Sequence, residues 1–365
     1  MNKIEEKAFK ILGILQEHNH EAYIVGGYVR DKLLGRNSND IDICTSATPK
    51  EIIEIFPNTS SPNYGSINII YKNTNFDITT FRKEIKYQDN RLPVKLKYIK
   101  SIKKDLLRRD FTINTICMDK EGNIIDYLNI KTDLDNKIIR TVGNPRYRLK
   151  EDSLRILRAI RFATILDFEI ESKTKHYLMA YAPLLKNLSY QRKKQELDKI
   201  FTSNRKEKGI SLLIELGIAD YLDISNLKNI TPCDNLIGIW AQLNVDDIYP
   251  FTKVERHQMK QIRELLTLDI EDPYNLYIYG LYTATVVYQI KNESIAKLNK
   301  LYKDLPIQLS KEIALNGKEI AQILNKEPGN YLKEISKDLE KQIIYNKISN
   351  NKEDLEEYII EKYHQ

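Results

Sequence analysis

Apolar positions recur along this chain with two different periods, and the change from one to the other falls near residue 150. Ile4, Ala8, Ile11, Leu12 and Leu15 return at steps of three and four, which predicts an amphipathic helix over residues 3–18. AYIVGG (22–27) is a short apolar strand that ends in a glycine turn, and YVRDKLLG (28–35) is a helix stopped by Gly35. DIDICTS (40–46) is a second strand, and ATPKEIIEIF (47–56) opens a helix with Thr-Pro. GSINIIY (65–71) and FDITTFR (76–82) predict two antiparallel strands joined by a turn at Lys72–Asn75. RRDFTINTICM (108–118) predicts the start of another helix, with a turn and strand following in GNIIDYL (122–128). From Glu151 onward strand signals almost vanish. The stretches 151–166, 173–188, 189–203 and 208–222 carry helical spacing, as does Lys253 to the end, with a loop at Asn229–Asn235. The fold class that follows is α+β: a head with a mixed sheet and flanking helices, then an all-α remainder that reads as one continuous helical superstructure.

Composition narrows the class. A length of 365 residues predicts two or three compact units, and 42% hydrophobic residues suffice for real cores. A net charge of +6 is compatible with a polyanionic partner without requiring one. Cys44, Cys117 and Cys233 lie too far apart for a zinc pattern or a disulfide framework, which fits a reducing, cytoplasmic setting. The N-terminal stretch has neither a secretory apolar core nor transit character, and no segment is long and apolar enough to span a bilayer.

The candidate chemistry lies in GGYVRDKLLGRNSNDIDI (26–43). Residues two apart on a strand share a side, so Asp40 and Asp42 project together while Ile41 and Ile43 face the core. Two adjacent carboxylates repel unless a cation lies between them, and a hard divalent ion such as Mg²⁺ takes one or two carboxylates plus phosphate oxygens. Gly26 and Gly27 permit close backbone approach, the following helix offers N–H groups, and Arg30 adds a forked donor for phosphate. Taken alone, a D-x-D pair is commonly a set of solvated loop acids, and only the order and spacing of the parts strengthen it. Asp77, on a later strand, could complete a two-metal site or could equally pair with Arg82. Further on, Asp152 and Arg155 are three apart on a predicted helix, with Arg158 continuing the row. So many arginines on one face would repel one another unless anions or acids lie near.

These motifs, together with TTFRKEIKYQDNRLP, DLLRRDFTIN, DLDNKIIRTVGNPRYRLKEDSLRILRAIRF and SYQRKKQELDKI, resemble the class II tRNA nucleotidyltransferases and bacterial poly(A) polymerases. That family belongs to the polymerase-beta-like nucleotidyltransferase superfamily. The likeness covers about residues 21–201, and residues 315–359 are similar to the tail of Gram-positive-type CCA-adding enzymes. The resemblance implies a nucleotidyltransferase head (1–148), a neck with a nucleotide-selecting pocket (149–204), a body (205–275) and a tRNA-binding tail (276–365). It implies that Asp40 and Asp42 hold catalytic metals, that Gly27 and Arg30 contact the nucleoside triphosphate, and that Arg109 meets phosphate or ribose. Asp110 and Asn114 would position the sugar, and Asp152, Arg155, Arg158 and Arg161 would form the nucleotide pocket. The implied activity is addition or repair of the 3′-terminal CCA of tRNA from CTP and ATP, with no nucleic-acid template and no evident protein partner. Rival readings are an A-adding enzyme, a poly(A) polymerase and an RNA-binding pseudoenzyme. The last predicts broken ligands, whereas Asp40, Asp42 and Arg109 are all present.

Base choice has a physical basis in this reading. Cytosine and adenine present an amino group where uracil and guanine present a carbonyl. An ionised Asp152 only accepts and Arg155 only donates, so the pair suits the first two bases and is left unsatisfied by the others. The polar segment Arg82–Pro93 is either a solvated hairpin or, on the resemblance, the element needed to add the terminal A. Several positions depart from the family pattern and bear on the switch from C to A: Leu92, the stretch Asp126–Leu134 including Asn129 and Ile130, Gln191, and Asp77 itself. RNA contacts by Lys and Arg are expected in the helical part, with Arg205–Gly209 and Lys253–Arg263 as candidates.

Overall fold

The structure is a computed structural model that describes residues 3–57, 59–60, 62, 65–88, 92–129 and 131–364, with the backbone alone over 84–88 and 92–95. Packing divides the chain into two compact units, Met1–Ser225 and Asn226–Gln365. The helical region is therefore not one continuous body: its first helices belong with the sheet.

In the first unit, α1 (Lys3–Glu17) turns Ala8, Ile11, Leu12 and Leu15 inward, each fully buried. β1 (Ala22–Val25) leads through Gly26, at φ +83°, into α2 (Gly27–Leu33), and Gly35 at φ +66° ends that segment as expected. β2 (Asp42–Thr45) is followed by α3 (Pro49–Ile55), which Thr48 opens through a reciprocal cap with Glu51. β3 (Ser66–Tyr71) and β4 (Thr74–Thr80) are antiparallel and joined at Lys72 and Asn73, both with positive φ, the conformation of a tight hairpin turn.

These strands and the two-residue strands β7 (Cys117–Met118) and β8 (Ile124–Ile125) form one mixed sheet ordered β3-β4-β2-β1-β7-β8. Only β2 and β4 run parallel within it. Arg82–Gln88 (β5) and Leu92–Tyr98 (β6) pair with each other as a separate antiparallel hairpin. The 89–91 tip, the Leu92 side chain and Ile130 lie outside the described residues.

One expected helix is corrected. RRDFTINTICM does not continue as a helix: α4 (Ile102–Leu106) precedes it, Thr112–Asn114 is a single 3₁₀ turn, and Cys117 already pairs with Val25 of β1. Phe111, Ile113, Ile116 and Cys117 are all buried, so tertiary burial overrides the local helical pattern, and the segment ends in the sheet at Cys117–Met118.

The rest of the first unit comprises α5 (Lys131–Asp135), a two-stranded parallel pair of β9 (Ile138–Ile139) and β10 (Glu169–Ile170), and five helices. Those helices are α6 (Pro145–Glu151), α7 (Leu154–Leu166), α8 (Ser172–Tyr181), α9 (Tyr190–Phe201) and α10 (Lys206–Glu215). α7 is the hub, packed on by α9 and α10.

The second unit contains α11 (Leu236–Leu243), α12 (Lys253–Leu266), α13 (Pro273–Ile290), α14 (Ile295–Lys303), α15 (Gly317–Ile323), α16 (Tyr331–Ile344) and α17 (Lys352–Tyr363). The lone Trp240 is wholly buried there against Tyr249 and Phe251, a core role. Among the described residues no helix is long and apolar enough to cross a membrane.

Candidate active site

The acid corner forms where β1 ends. Val25 stands opposite Asp42, and Asp42 is in parallel register with Asp77. Asp40 is not itself in the strand, which begins at Asp42. The alternation holds nonetheless: Asp40 and Asp42 are exposed, whereas Ile41 and Ile43 are 4% and 0% exposed. The strand edge stops before Asp40 because β1, its partner, ends at Val25.

Gly26 makes the corner possible. A Cβ there would lie 3.6 Å from Arg109 Nη1 and 3.8 Å from Asp42 Oδ2, at a positive φ that favours glycine. Water reaches Asp42, yet protein crowds its flanks, and this crowding together with Asp40 pushes its carboxyl up to about 6 against the pull of Arg109. Within the described residues neither Asp40 nor Asp42 accepts a hydrogen bond from a protein donor. Two unpartnered hard oxygen donors side by side fit a divalent cation of the Mg²⁺ kind.

Asp77 accepts from Asn68 Nδ2 at 3.1 Å. Among the described residues no cluster of three His, Cys, Asp or Glu side chains is placed to hold an ion, so Asp77 does not close a third protein ligand in this arrangement.

Arg109 is held from behind. Its Nη2 donates to the fully buried Asp105 at 3.4 Å, and its buried Nε has no partner among the described residues. Burial pulls its pKa down, but Asp105 and the neighbouring Cys44, Cys117 and Asp42 outweigh this and keep it cationic.

A second network connects residues far apart in the chain. Arg30 Nη1 donates to Asn114 Oδ1 at 2.7 Å, Asn114 Nδ2 donates to Asp110 Oδ1 at 3.1 Å, and Arg158 Nε donates to Asp110 Oδ2 at 2.8 Å. Burial pushes the Asp110 carboxyl up, but Arg158, Asn114 and its neighbour's backbone N–H hold it well below the usual carboxylate range. Arg30 also forks onto Asp31 at 2.9 and 3.0 Å. Its donors are thus largely engaged by protein rather than standing open for phosphate. Arg161 pairs with Glu196 at 3.0 Å. Arg30, Arg158 and Arg161 all lie over the ring of Phe162, at 5.3, 5.3 and 4.5 Å from its centre.

The neck differs from expectation in one respect. Asp152 and Arg155 do not share a helix, because the chain is extended at Asp152 (φ −142°, ψ 102°) between α6 and α7. Asp152 accepts from Leu154 N at 3.0 Å, which competes with helix continuation. Its side chain is half-buried, and burial raises its pKa while Arg155 and Arg158 oppose the rise. Arg155 is 6% exposed and donates to the Arg148 carbonyl at 2.9 Å and the Arg108 carbonyl at 3.2 Å. The Asp152 and Arg155 side chains are therefore close but differently placed: one half-open, the other tied to backbone. Of the expected basic track 205–209, Arg205 and Lys208 pair with Asp167, Lys208 also with Glu169, and Lys206 is buried. Arg263 pairs with Asp246 at 2.6 Å.

Sequence reasoning missed Asp31, Asp105, Phe162 and Glu196. Asp105 stands four residues before Arg109, a spacing that could have flagged it, whereas Asp31 adjoins Arg30 at a spacing that does not predict a pair. Phe162, four residues after Arg158 on one helix, was likewise open to a spacing argument, whereas nothing local marks Glu196.

Three family models match: "Poly A polymerase head domain" over residues 22–140, "Probable RNA and SrmB- binding site of polymerase A" over 167–225, and "tRNA nucleotidyltransferase domain 2 putative" over 251–359. The CCA-adding enzyme of Geobacillus sp. (strain WCH70) is 34% identical, with 98% of this chain and 97% of that protein aligned. That of Staphylococcus haemolyticus is also 34% identical, with 97% of each aligned. The crystal structure of Bacillus stearothermophilus CCA-adding enzyme in complex with CTP superposes with a TM-score of 0.87 at 28% identity, covering 99% of this chain and 98% of that one. Thermotoga maritima CCA-adding enzyme complexed with tRNA shares the fold, with a TM-score of 0.72 at 22% identity over 99% and 96% of the two chains.

Proposed function

This chain belongs to the CCA-adding enzymes, which are tRNA nucleotidyltransferases, and from that premise we propose that it builds or repairs the 3′-terminal CCA of tRNA from CTP and ATP without a nucleic-acid template. The observation that carries the reading is the corner where the unpartnered acids Asp40 and Asp42, the close-approach Gly26 and the buried donor Arg109 meet. In the reaction the primer's 3′ oxygen attacks the α-phosphorus and pyrophosphate leaves. Asp40 and Asp42 would hold divalent ions, Mg²⁺ by their oxygen chemistry, and such ions supply Lewis-acid activation and neutralise the charge that develops on the leaving group. Asp77, in register with Asp42, adds to the negative field there.

The protein's own groups do the positioning. Arg109, whose Nη1 lies beside Gly26 and Asp42, would donate to a phosphate or ribose oxygen. Asp110, Asn114 and Arg30 form a rigid hydrogen-bonded wall for the sugar, and Gly27 lets backbone approach the triphosphate. Arg158 and Arg161 bring positive charge against its phosphates. Asp152, half-open, accepts a hydrogen bond from the amino group of cytosine or adenine. Arg155 completes the contact by exchanging the carbonyls of Arg108 and Arg148 for a ring nitrogen, which makes nucleotide selection depend on a guanidinium movement. We divide the chain by role into head (1–148), neck (149–204), body (205–275) and tail (276–365), the last two gripping tRNA through phosphate contacts.

The test is incorporation of CTP and ATP, separately and together, on tRNA transcripts ending before, within and after CC. Addition of C, C and A in order is the expected result. Addition of A alone would replace the reading with an A-adding enzyme or poly(A) polymerase. Asp152→Ala should also narrow the preference for CTP over UTP; an unchanged ratio would remove the base-pairing role.

A further inference from the structure

The head carries an open groove of about 680 Å³ between the end of β6, the start of α4 and the loop after β8. One wall presents Lys97, Lys100, Lys103 and Lys104, all exposed. None of the four ammonium groups makes a hydrogen bond or ion pair with a described residue. Glu21 is the one acid among the described residues lining it. The sequence KKD suggests that Asp105 offsets its neighbours, but it does not. Asp105 is 0% exposed, and its carboxylate is taken up by Arg108 Nε at 2.8 Å, Arg82 N at 3.0 Å and Arg109 Nη2 at 3.4 Å. Folding thus removes the nearest counter-charge and leaves the four ammonium groups without an ion-pair partner among the described residues, with Glu51 within electrostatic reach of Lys100 alone. Tyr98, 42% exposed, and the mutually hydrogen-bonded Tyr23 and Tyr127 (3.3 Å) give the same groove aromatic faces.

Spaced ammonium groups interleaved with aromatic rings suit a sugar-phosphate backbone with accessible riboses or bases better than a compact anion. α4 also ties this groove to the acid corner: Lys103 and Lys104 face out, while Asp105 on the same helix anchors Arg109 beside Gly26 and Asp42. We propose that this groove binds the RNA backbone of the tRNA substrate, a contact made by the head and separate from those expected of the helical body and tail. The inference rests on the function proposed above for its choice of RNA.

The experiment uses the full chain with Lys97→Gln, Lys100→Gln, Lys103→Gln and Lys104→Gln combined, and the matching quadruple Lys→Arg variant as a control. Affinity for a tRNA transcript lacking CCA is measured between 50 and 300 mM KCl. Each phosphate contact adds about 0.7–0.9 to the slope of log affinity against log salt, so the Gln variant should lose about 3 from that slope and bind at least tenfold more weakly at 100 mM. The KM for tRNA should rise in parallel, while the KM for CTP and the rate at saturating tRNA stay within twofold. The Arg variant should behave as wild type. An unchanged slope and affinity in the Gln variant would overturn the proposal, as would lysine-dependent binding of polyglutamate without lysine-dependent binding of tRNA. Wild-type incorporation is scored separately: a chain that adds no nucleotide yet shows the slope change would lose the activity reading and keep the groove.

Discussion

Replacing Asp110 by Asn tests the network that holds the nucleotide wall. The carboxylate receives four donors: Phe111 N at 2.8 Å, Asn114 Nδ2 at 3.1 Å, and Nε (2.8 Å) and Nη2 of Arg158. An amide presents one oxygen and one NH₂ in the same space. Whichever way it turns, one pair of donors faces its NH₂. Losing a charged hydrogen bond costs about 1.5–3 kcal/mol, and stranding a buried charge costs about 3–5 kcal/mol. The Arg158 side chain is 32% exposed, so water compensates part of this, and we expect a loss of about 2 kcal/mol at pH 7.

The pH dependence has a definite sign. The folded carboxyl is held below its ordinary 3.8, so its stabilising effect is complete above that value and is lost as pH falls toward the folded value. Between pH 5 and pH 3 the gap between wild type and variant should shrink by about 1 kcal/mol. Urea unfolding followed by far-ultraviolet circular dichroism reports both compact units, whereas fluorescence of Trp240 reports the second alone, so the two signals together isolate the first. A gap below about 0.5 kcal/mol at pH 7, or one equally large at pH 3, would refute the account. Incorporation of CTP should also fall at least tenfold, since the same carboxylate orients Asn114 and Arg158.

Asp42→Asn should abolish nucleotide transfer, below 1% of wild-type rate in a primer-extension assay, with tRNA affinity within twofold; retained turnover would contradict the metal-holding role. Phe162→Leu keeps an apolar group but removes the ring face shared by three guanidinium groups, so the KM for CTP and ATP should rise about 5- to 30-fold, with Phe162→Tyr close to wild type. Gly209→Ala would bring a methyl 2.7 Å from Thr164 Oγ1 and still closer to Ile200 Cγ2, so the first unit should lose about 1–2 kcal/mol in urea unfolding even after the gain in helix propensity.

Much of the fold was legible because its signals are local. The step of α1, the Thr-Pro opening of α3 and the turn between β3 and β4, which is Lys72–Asn73 and shorter than the expected 72–75, each depend on residues within a few positions of one another. So does the candidate metal site: the alternation of Asp40, Ile41, Asp42 and Ile43 puts the acids out and the isoleucines in whether or not Asp40 is paired in a sheet. The helix expected at 108–118 failed because the core takes up its apolar residues in another way: Thr112–Asn114 makes a single 3₁₀ turn and only Cys117–Met118 pairs with β1.

Local pattern therefore suffices for the type of most elements, for which acids stand side by side, and for the glycine that lets the chain turn beside them; it does not suffice for element ends such as Asp42 and Asp152, which depend on neighbouring strands and on competing hydrogen bonds. Which polar group meets which is settled by packing. Asp110 meets Arg158 48 residues away, Arg30 meets Asn114 84 residues away, and Arg155 meets the Arg108 carbonyl 47 residues away. With 57 basic and 51 acidic side chains in one chain, any of them has many possible partners. The choice among them is made by burial, because a charge taken out of water must find its counterpart within reach, and what lies within reach is a property of the packed molecule.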